Sequence, residues 1–203
     1  MNKRVVIIGA GGHGKVIADI ARACGDIVVG FLDDAYDKET DFYGTRIIGK
    51  TDLYVNYKCD CEFIVAIGSN SIRKRIADDL SVNWYTAVHP SAQISKSAEI
   101  GEGTTVMPNA VVNADTVIGR HCIINTGAVI EHDCEIGDYT HISPRGVVCG
   151  VSKVGKNVWL GAGSIVIHVK SVCDDVVVGA GSVVTKSIEE KGTYVGIPCK
   201  RID

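Results

Sequence analysis

The sequence predicts an α/β N-terminal domain over residues 1–88, followed by a parallel β-helix of hexapeptide repeats over residues 89–203. Three observations carry this. Aliphatic residues recur every six positions from Ile94 to Val184. A glycine-rich turn, Gly9-Ala10-Gly11-Gly12-His13-Gly14, joins an apolar strand to a helical pattern. Glycine is abundant at 23, proline scarce at 4 and aromatics only 6%, a composition of short strands and tight turns.

Composition narrows the class further. Hydrophobic residues make up 46% and charged residues 22% of the 203, which argues against disorder and suits one large or two small domains. A net charge of −3 gives no basic footprint for nucleic acid. No uncharged apolar run of about 18 residues is present to span a bilayer. The segment Met1 to Gly9 has a basic head, but its apolar run is four residues and lacks a small-residue cleavage site. It reads as a buried first strand. Eight scattered cysteines do not make a disulfide framework. The expectation is a cytoplasmic protein with reduced thiols.

Residues 3–8 read as a buried parallel strand. The glycine turn follows, then helical periodicity over Lys15–Cys24, closed by Gly25. A second strand, Ile27–Leu32, ends in Asp33-Asp34. A third apolar run, residues 62–67, ends in Gly68-Ser69-Asn70. A helix over 71–80 and a strand near 84–88 complete the domain. The turn matches G-x-G-x-x-G between strand and helix, with an acid about 20 residues on. Only 88 residues precede the repeats, half of what a two-lobed dinucleotide fold needs, so a half-Rossmann unit for a mononucleotide is expected. Gly11, Gly12 and Gly14 let the backbone approach a phosphate, which the helix N-terminus favours. His13 points into the same cleft, toward a sugar or its phosphates. Asp33 and Asp34 are placed to accept hydrogen bonds from a ribose or base, and Gly68, Ser69 and Asn70 line the same crevice.

The second half keeps a strict period. Ile94, Ile100, Val106 and every sixth residue to Val184 form a column of sixteen aliphatics without insertion. Two residues before each lies a small residue, except at Val158, Lys170 and Val176. No amphipathic helix has period six; short strands joined by tight turns do. Three hexapeptides close one triangular coil, so residues 18 apart stack. The aliphatic column points inward, each side chain contributing about 1.5–3 kcal/mol on burial. The small column lets the corners turn tightly.

Among six histidines, His132 is the best placed for proton transfer. It occupies a turn position, and a histidine titrates near neutrality. The adjoining Asp133 carboxylate can fix its tautomer and stabilise an imidazolium. His89-Pro90 marks the domain junction, and His121 has no assigned role. His132 and His168 are 36 residues apart in one column with Gly150 between. At about 4.8 Å per coil they lie roughly 9–10 Å apart, too far to share a metal within one chain. Cys122 and Cys134 fall in the small column and act as small hydrophobes. Cys149 and Cys173 have no histidine partner in sequence, and Cys59-x-Cys61 lacks a second pair. The reading is therefore metal-free chemistry without a covalent thiol intermediate.

The pattern [Leu/Ile/Val]-Gly-x-x-small-x resembles the left-handed β-helix of the hexapeptide acyltransferases, whose members are typically trimers with acetyl-CoA bound between prisms. The order of blocks is more specific: Gly9 to Lys15, Phe31-Leu-Asp-Asp34, Ala66-Ile-Gly-Ser-Asn70 with Arg73, His89-Pro-Ser-Ala92, Val129-Ile-Glu-His-Asp133, and Tyr194-Val-Gly-Ile-Pro-Cys-Lys200. This series is similar, over nearly the whole chain, to the NeuD/PglD-like family of sialic acid O-acetyltransferases and UDP-amino-sugar N-acetyltransferases. The resemblance implies acetyl-CoA as cosubstrate, a homotrimer, and the 4-amine of a UDP-4-amino-4,6-dideoxy sugar as acceptor. It implies His132 as general base supported by Asp133, Asn125 near the acceptor, and His141 near the thioester. Coenzyme A is expected near Gly161, Ala162 and Gly179, with Lys200 or Arg201 at a phosphate. Two departures bear on this. The family commonly has Glu at Asp133, so the shorter side chain predicts a longer or water-bridged contact to His132. Arg145 stands where the family often has Gly, and reads as solvated. The alternatives are O-acetylation of sialic acid or another sugar, and a nucleotide-sugar-binding scaffold without turnover.

Overall fold

The computed structural model describes residues 2–203. The first domain holds five strands: β1 (Arg4–Ile8), β2 (Ile27–Leu32), β3 (Thr40–Phe42), β4 (Thr45–Gly49) and β5 (Glu62–Val65). They form one sheet in the order β3-β4-β2-β1-β5, parallel except for the β3–β4 hairpin. The central β1 is buried on both faces. Val5 and Ile7 pack with Ile17, Ala18, Ile20 and Ala21 of helix α1 (Gly12–Ala23), whereas Val6 and Ile8 pack with Ala77 of helix α2 (Asn70–Asp79). Helix α1 begins three residues before the expected Lys15, because the Gly11 carbonyl already accepts the Lys15 N–H at 3.2 Å. Its third residue must be glycine: a Cβ at Gly14 would lie 2.3 Å from the Gly9 carbonyl oxygen.

From Ala87 onward the chain winds into a three-sided parallel β-helix, with most coil strands two residues long. Its faces are sheets of six, five and eight strands. Pairing runs at 18 residues, as in Val111 with Val129, Val117 with Glu135 and Ile123 with His141. The aliphatic column fills the prism; Val106 to Val184 are buried, while Ile94 and Ile100 are partly covered. The column extends one step further back than the sequence showed. Ala87–Val88 pairs with Thr105–Val106, so the first rung starts just ahead of residue 89. At the other end, Gly192–Gly196 and Cys199–Arg201 close the eight-stranded sheet as a hairpin.

The small column does more than ease the corners. Thr140 Oγ1 donates to the Gly155 carbonyl at 2.7 Å and accepts the Val158 N–H at 3.0 Å, riveting one coil to the next. Thr104, Thr116 and Ser152 repeat the arrangement. The residue before each small position is left-handed, every sixth residue from Gly103 to Gly181, with φ of 52–69°. Asn, Asp and Gly suit that geometry; Val151 and Val169 hold it at a cost of about 1–3 kcal/mol each. Arg145 occupies one such position with its side chain exposed, which is why glycine fits there equally well.

The two domains meet through α2. Asn70 and Arg73, three residues apart on one helix face, dock onto the corners of three successive coils. Asn70 Nδ2 donates to the Val158 carbonyl at 3.0 Å. Arg73 Nε donates to the His121 carbonyl at 2.8 Å and Nη2 to the Tyr139 carbonyl at 2.7 Å. Tyr139 Oη returns a hydrogen bond to Asp78 at 2.7 Å. Among the described residues, no helix is long and apolar enough to cross a membrane.

The hydroxyl ladder is testable. Thr140→Val should destabilise the fold by about 1–3 kcal/mol, since it strands a buried N–H and a carbonyl. Ser164 Oγ is buried and has no partner among the described residues, so Ser164→Ala should be neutral or stabilising. Denaturant midpoints compare the two. Equal losses would show that these side chains only fill space.

Candidate functional site

The glycine turn leaves Gly11 and Gly12 facing open space, with nothing within 4 Å of an added Cβ; Gly68 is likewise open. Open space at these positions is what a phosphate-binding turn requires. Asp33, tied to this turn through Ala10, and Asp34 already hold backbone. Asp33 Oδ2 accepts the Ala10 N–H at 2.8 Å and Oδ1 the Ala35 N–H at 2.9 Å. Asp34 Oδ1 accepts the Thr51 N–H at 2.8 Å. Both carboxylates therefore shape the loops and retain lone pairs for a ligand. Ser69 precedes α2 and bonds to Ser71 through its hydroxyl at 3.3 Å.

His141 is buried and His13 partly so, and the Arg73 charge reaches both. Thr126 N–H donates to Asn125 Oδ1 at 2.8 Å, which turns the Asn125 amide nitrogen toward His141 Nε2 at 3.0 Å. His141 Nε2 is thereby the acceptor, and the ring proton resides on Nδ1. Among the described residues, His141 Nδ1 and His13 Nε2 are buried without a partner. The Trp159 indole stacks on the His141 ring, with centroids 5.8 Å apart and planes at 7°. Its Nε1 donates to Ser143 Oγ at 2.9 Å.

His141, Gly161, Ala162 and Gly179 line one groove of ≈ 440 Å³, together with Ser143, Pro144, Trp159 and Val177 to Ala180. The structure thus brings four of the five expected coenzyme A residues together. Lys200 is elsewhere, in a cleft of ≈ 230 Å³ with Thr185, Lys186, Tyr194 and Pro198.

His132 and Asp133 occupy the prism corner opposite the eight-stranded face, between strands Val129–Ile130 and Glu135–Ile136. The expectation of a long or bridged contact is corrected: Nδ1 of His132 lies 2.7 Å from Asp133 Oδ2. Asp133 is left-handed, with φ 56°, and that turn folds the short carboxylate back onto the preceding ring. The hydrogen bond holds the His132 imidazole above its usual range, aided by the charges of Asp133 and Glu131. The ring covers Gly150, where a Cβ would lie 2.7 Å from Nε2. Both side chains are more than half exposed. Within one chain this pair does not meet the His141 cluster.

Sequence reasoning left two residues of this region without a role. His121 is buried, stacked on Tyr139 at 5.4 Å and edge-on to Trp84 at 4.6 Å. Arg73 was part of a motif, but its contacts 48 and 66 residues away had no local signal. Among the described residues, no group of three or more His, Cys, Asp or Glu is arranged to hold a metal ion.

The buried histidines set a pH dependence. Burial, with the nearby Arg73, holds His13 down at about 4 and His141 at about 3; burial, with Arg120 and Arg73, holds His121 at about 4. Unfolded histidine titrates near 6.5. The unfolded state therefore binds more protons below that pH. Stability is complete above 6.5 and is lost as pH falls toward the folded values, by up to about 1.4 kcal/mol per pH unit per histidine. Thermal melts should show Tm falling between pH 6.5 and 4, with His121→Gln flattening the slope. A Tm independent of pH over that range would contradict this.

Comparison with known proteins gives a consistent set. Residues 4–80 match the PglD N-terminal domain, and residues 97–131 and 115–150 match the bacterial transferase hexapeptide (six repeats). UDP-N-acetylbacillosamine N-acetyltransferase of Bacillus subtilis is 42% identical over 109 residues, a match spanning 50% of each chain, so it covers half the length of that curated relative. The acetyltransferase domain of PglB from Neisseria gonorrhoeae is 34% identical, with TM-score 0.92 over 99% of this chain and 100% of that one. PerB from Caulobacter crescentus, solved with CoA and GDP-perosamine, is 37% identical, with TM-score 0.91 over 98% and 97% of the two chains. With both halves matched and the whole chain superposing on these structures, the chain belongs to the NeuD/PglD-like family of hexapeptide-repeat sugar acetyltransferases.

Proposed function

We propose that the protein transfers an acetyl group from acetyl-CoA to the amine of a nucleotide-linked amino sugar, specifically the 4-amine of a UDP-4-amino-4,6-dideoxy sugar. The observation that carries this is the convergence of His141, Gly161, Ala162 and Gly179 on one apolar groove, whose Trp159 and Val177 also line a pocket with Ser69 and Asn70 of the first domain. Relatives solved with acetyl-CoA, or with CoA and a nucleotide-linked amino sugar, support the same pairing of ligands.

In this reading His132 is the general base. Asp133 holds Nδ1, so Nε2 takes the amine proton as the nitrogen attacks the thioester carbonyl. The tetrahedral oxyanion collapses, the C–S bond breaks, and the departing thiolate receives the proton from the imidazolium. Asp133 stabilises that imidazolium. His141 lines the groove in which the thioester would lie.

The reading places the site between copies in a trimer, because His132 lies at the corner opposite the His141 face. Of the three prism faces, the eight-stranded one carries the α/β domain, and the five-stranded one is polar, with a Glu135–Lys153 ion pair. The six-stranded face presents Val111, Val129, Val147, Ile165 and Val183 in register, a stripe that suits packing on another copy.

Mass spectrometry tests the reaction. The protein is incubated with acetyl-CoA and UDP-4-amino-4,6-dideoxyglucose, its GDP counterpart, or free and CMP-linked sialic acid. One added acetyl group on the UDP amino sugar is expected. Acetylation of sialic acid alone would indicate O-acetyl transfer; UDP binding with no acetylated product would indicate a scaffold. His132→Ala should lower kcat roughly 10²–10⁴-fold while both ligands still bind; unchanged turnover would remove His132 from its role. Asp133→Asn should shift the acidic limb of kcat/KM to lower pH, because the base loses the carboxylate that raises it. Val147→Glu should convert trimers to monomers in sedimentation velocity; an unaltered assembly would exclude this face.

A further inference from the structure

We propose that Arg73 is a positioning residue that sets the register between the loop facing the sugar nucleotide and the coils carrying the acetyl-CoA groove. The inference rests on the acetyl-transfer reading above. Arg73 is 1% exposed, and its guanidinium donates five hydrogen bonds. Three stay within the α/β domain: two go to the loop before α2, the Ile67 and Gly68 carbonyls at 2.9 and 3.2 Å, and one to Asn70 Oδ1 on α2 itself at 2.8 Å. Two go to the corner carbonyls of successive coils, His121 and Tyr139. One rigid planar group therefore fixes both sides of the interdomain cleft.

All five acceptors are neutral. A buried charge without a carboxylate is costly, and apolar packing would fasten two domains at least as well. What an apolar side chain lacks is direction. The guanidinium fork specifies five acceptor positions at once, including Gly68, where the crevice is open. The same charge adds to burial in keeping His13 and His141 neutral. Acyl transfer demands that arrangement, because a 1 Å misplacement of reacting atoms costs about 10²-fold.

Arg73→Lys keeps the charge but offers three donors on a flexible stem. The expected variant is folded, assembles normally and retains its KM for acetyl-CoA. Its KM for the sugar nucleotide rises, and its kcat falls by about tenfold or more. If only Tm drops while both parameters per folded subunit stay at the parent values, Arg73 is a fastener and the proposal is overturned. Should Arg73→Lys fail to fold, Asn70→Ala removes one acceptor and the Val158 contact while leaving four arginine bonds. The same split with smaller amplitude is expected; a change in Tm alone overturns the proposal. If the parent protein acetylates no sugar nucleotide, the acetyl-transfer reading has failed. UDP titration of the folded variant then still tests positioning: weaker binding supports it, and equal binding overturns it.

Discussion

Arg73 can join the two domains because the corners of the β-helix offer carbonyls to it. A left-handed residue at every sixth position turns the chain by about a third of a coil, and at His121 and Tyr139 the corner carbonyls point outward, toward α2. Two residues on one face of α2 then span three coils. Burying a guanidinium opposes docking through desolvation, and burial lowers its pKa to about 10. The five hydrogen bonds offset that cost, together with the apolar contacts of Met107 and Ile123 with the α1 side and of Tyr139 with the α2 side of the sheet.

The six-residue period also builds the chemistry. Residues 18 apart share a column, so Trp159 lies directly below His141 and stacks on it, while Gly150 lies below His132 and leaves room for the ring. Gly161 and Gly179 follow one another along the groove for the same reason. The site is assembled by stacking, and each coil supplies one layer. The hydroxyl ladder of Thr104, Thr116, Thr140 and Ser152 keeps those layers in register from inside the prism.

Much of this was legible in sequence because it is local or periodic. The aliphatic column, the glycine turn, the ends of β2 and β5, and the groove residues all repeat or adjoin a recognisable pattern. What escaped notice has no such signature. The reach of Arg73 to Tyr139 crosses 66 residues, and the burial of His121 follows from the domain docking itself. Side-chain length alone does not give the His132–Asp133 distance; the left-handed turn at Asp133 supplies the approach that the missing methylene would have given. Val88 was missed as the first step of the column because it lies within the strand that leaves the α/β domain.

His132 and the His141 cluster occupy opposite parts of one prism, so the proposed reaction requires a site shared between copies. Subunit mixing tests this directly. His132→Ala and His141→Ala chains carrying different tags are co-expressed, and mixed trimers are isolated through both tags. The account predicts that each homogeneous variant is nearly inactive and that mixed trimers regain turnover, because some interfaces then pair an intact His132 with an intact His141. Mixed trimers as inactive as their parents would contradict it.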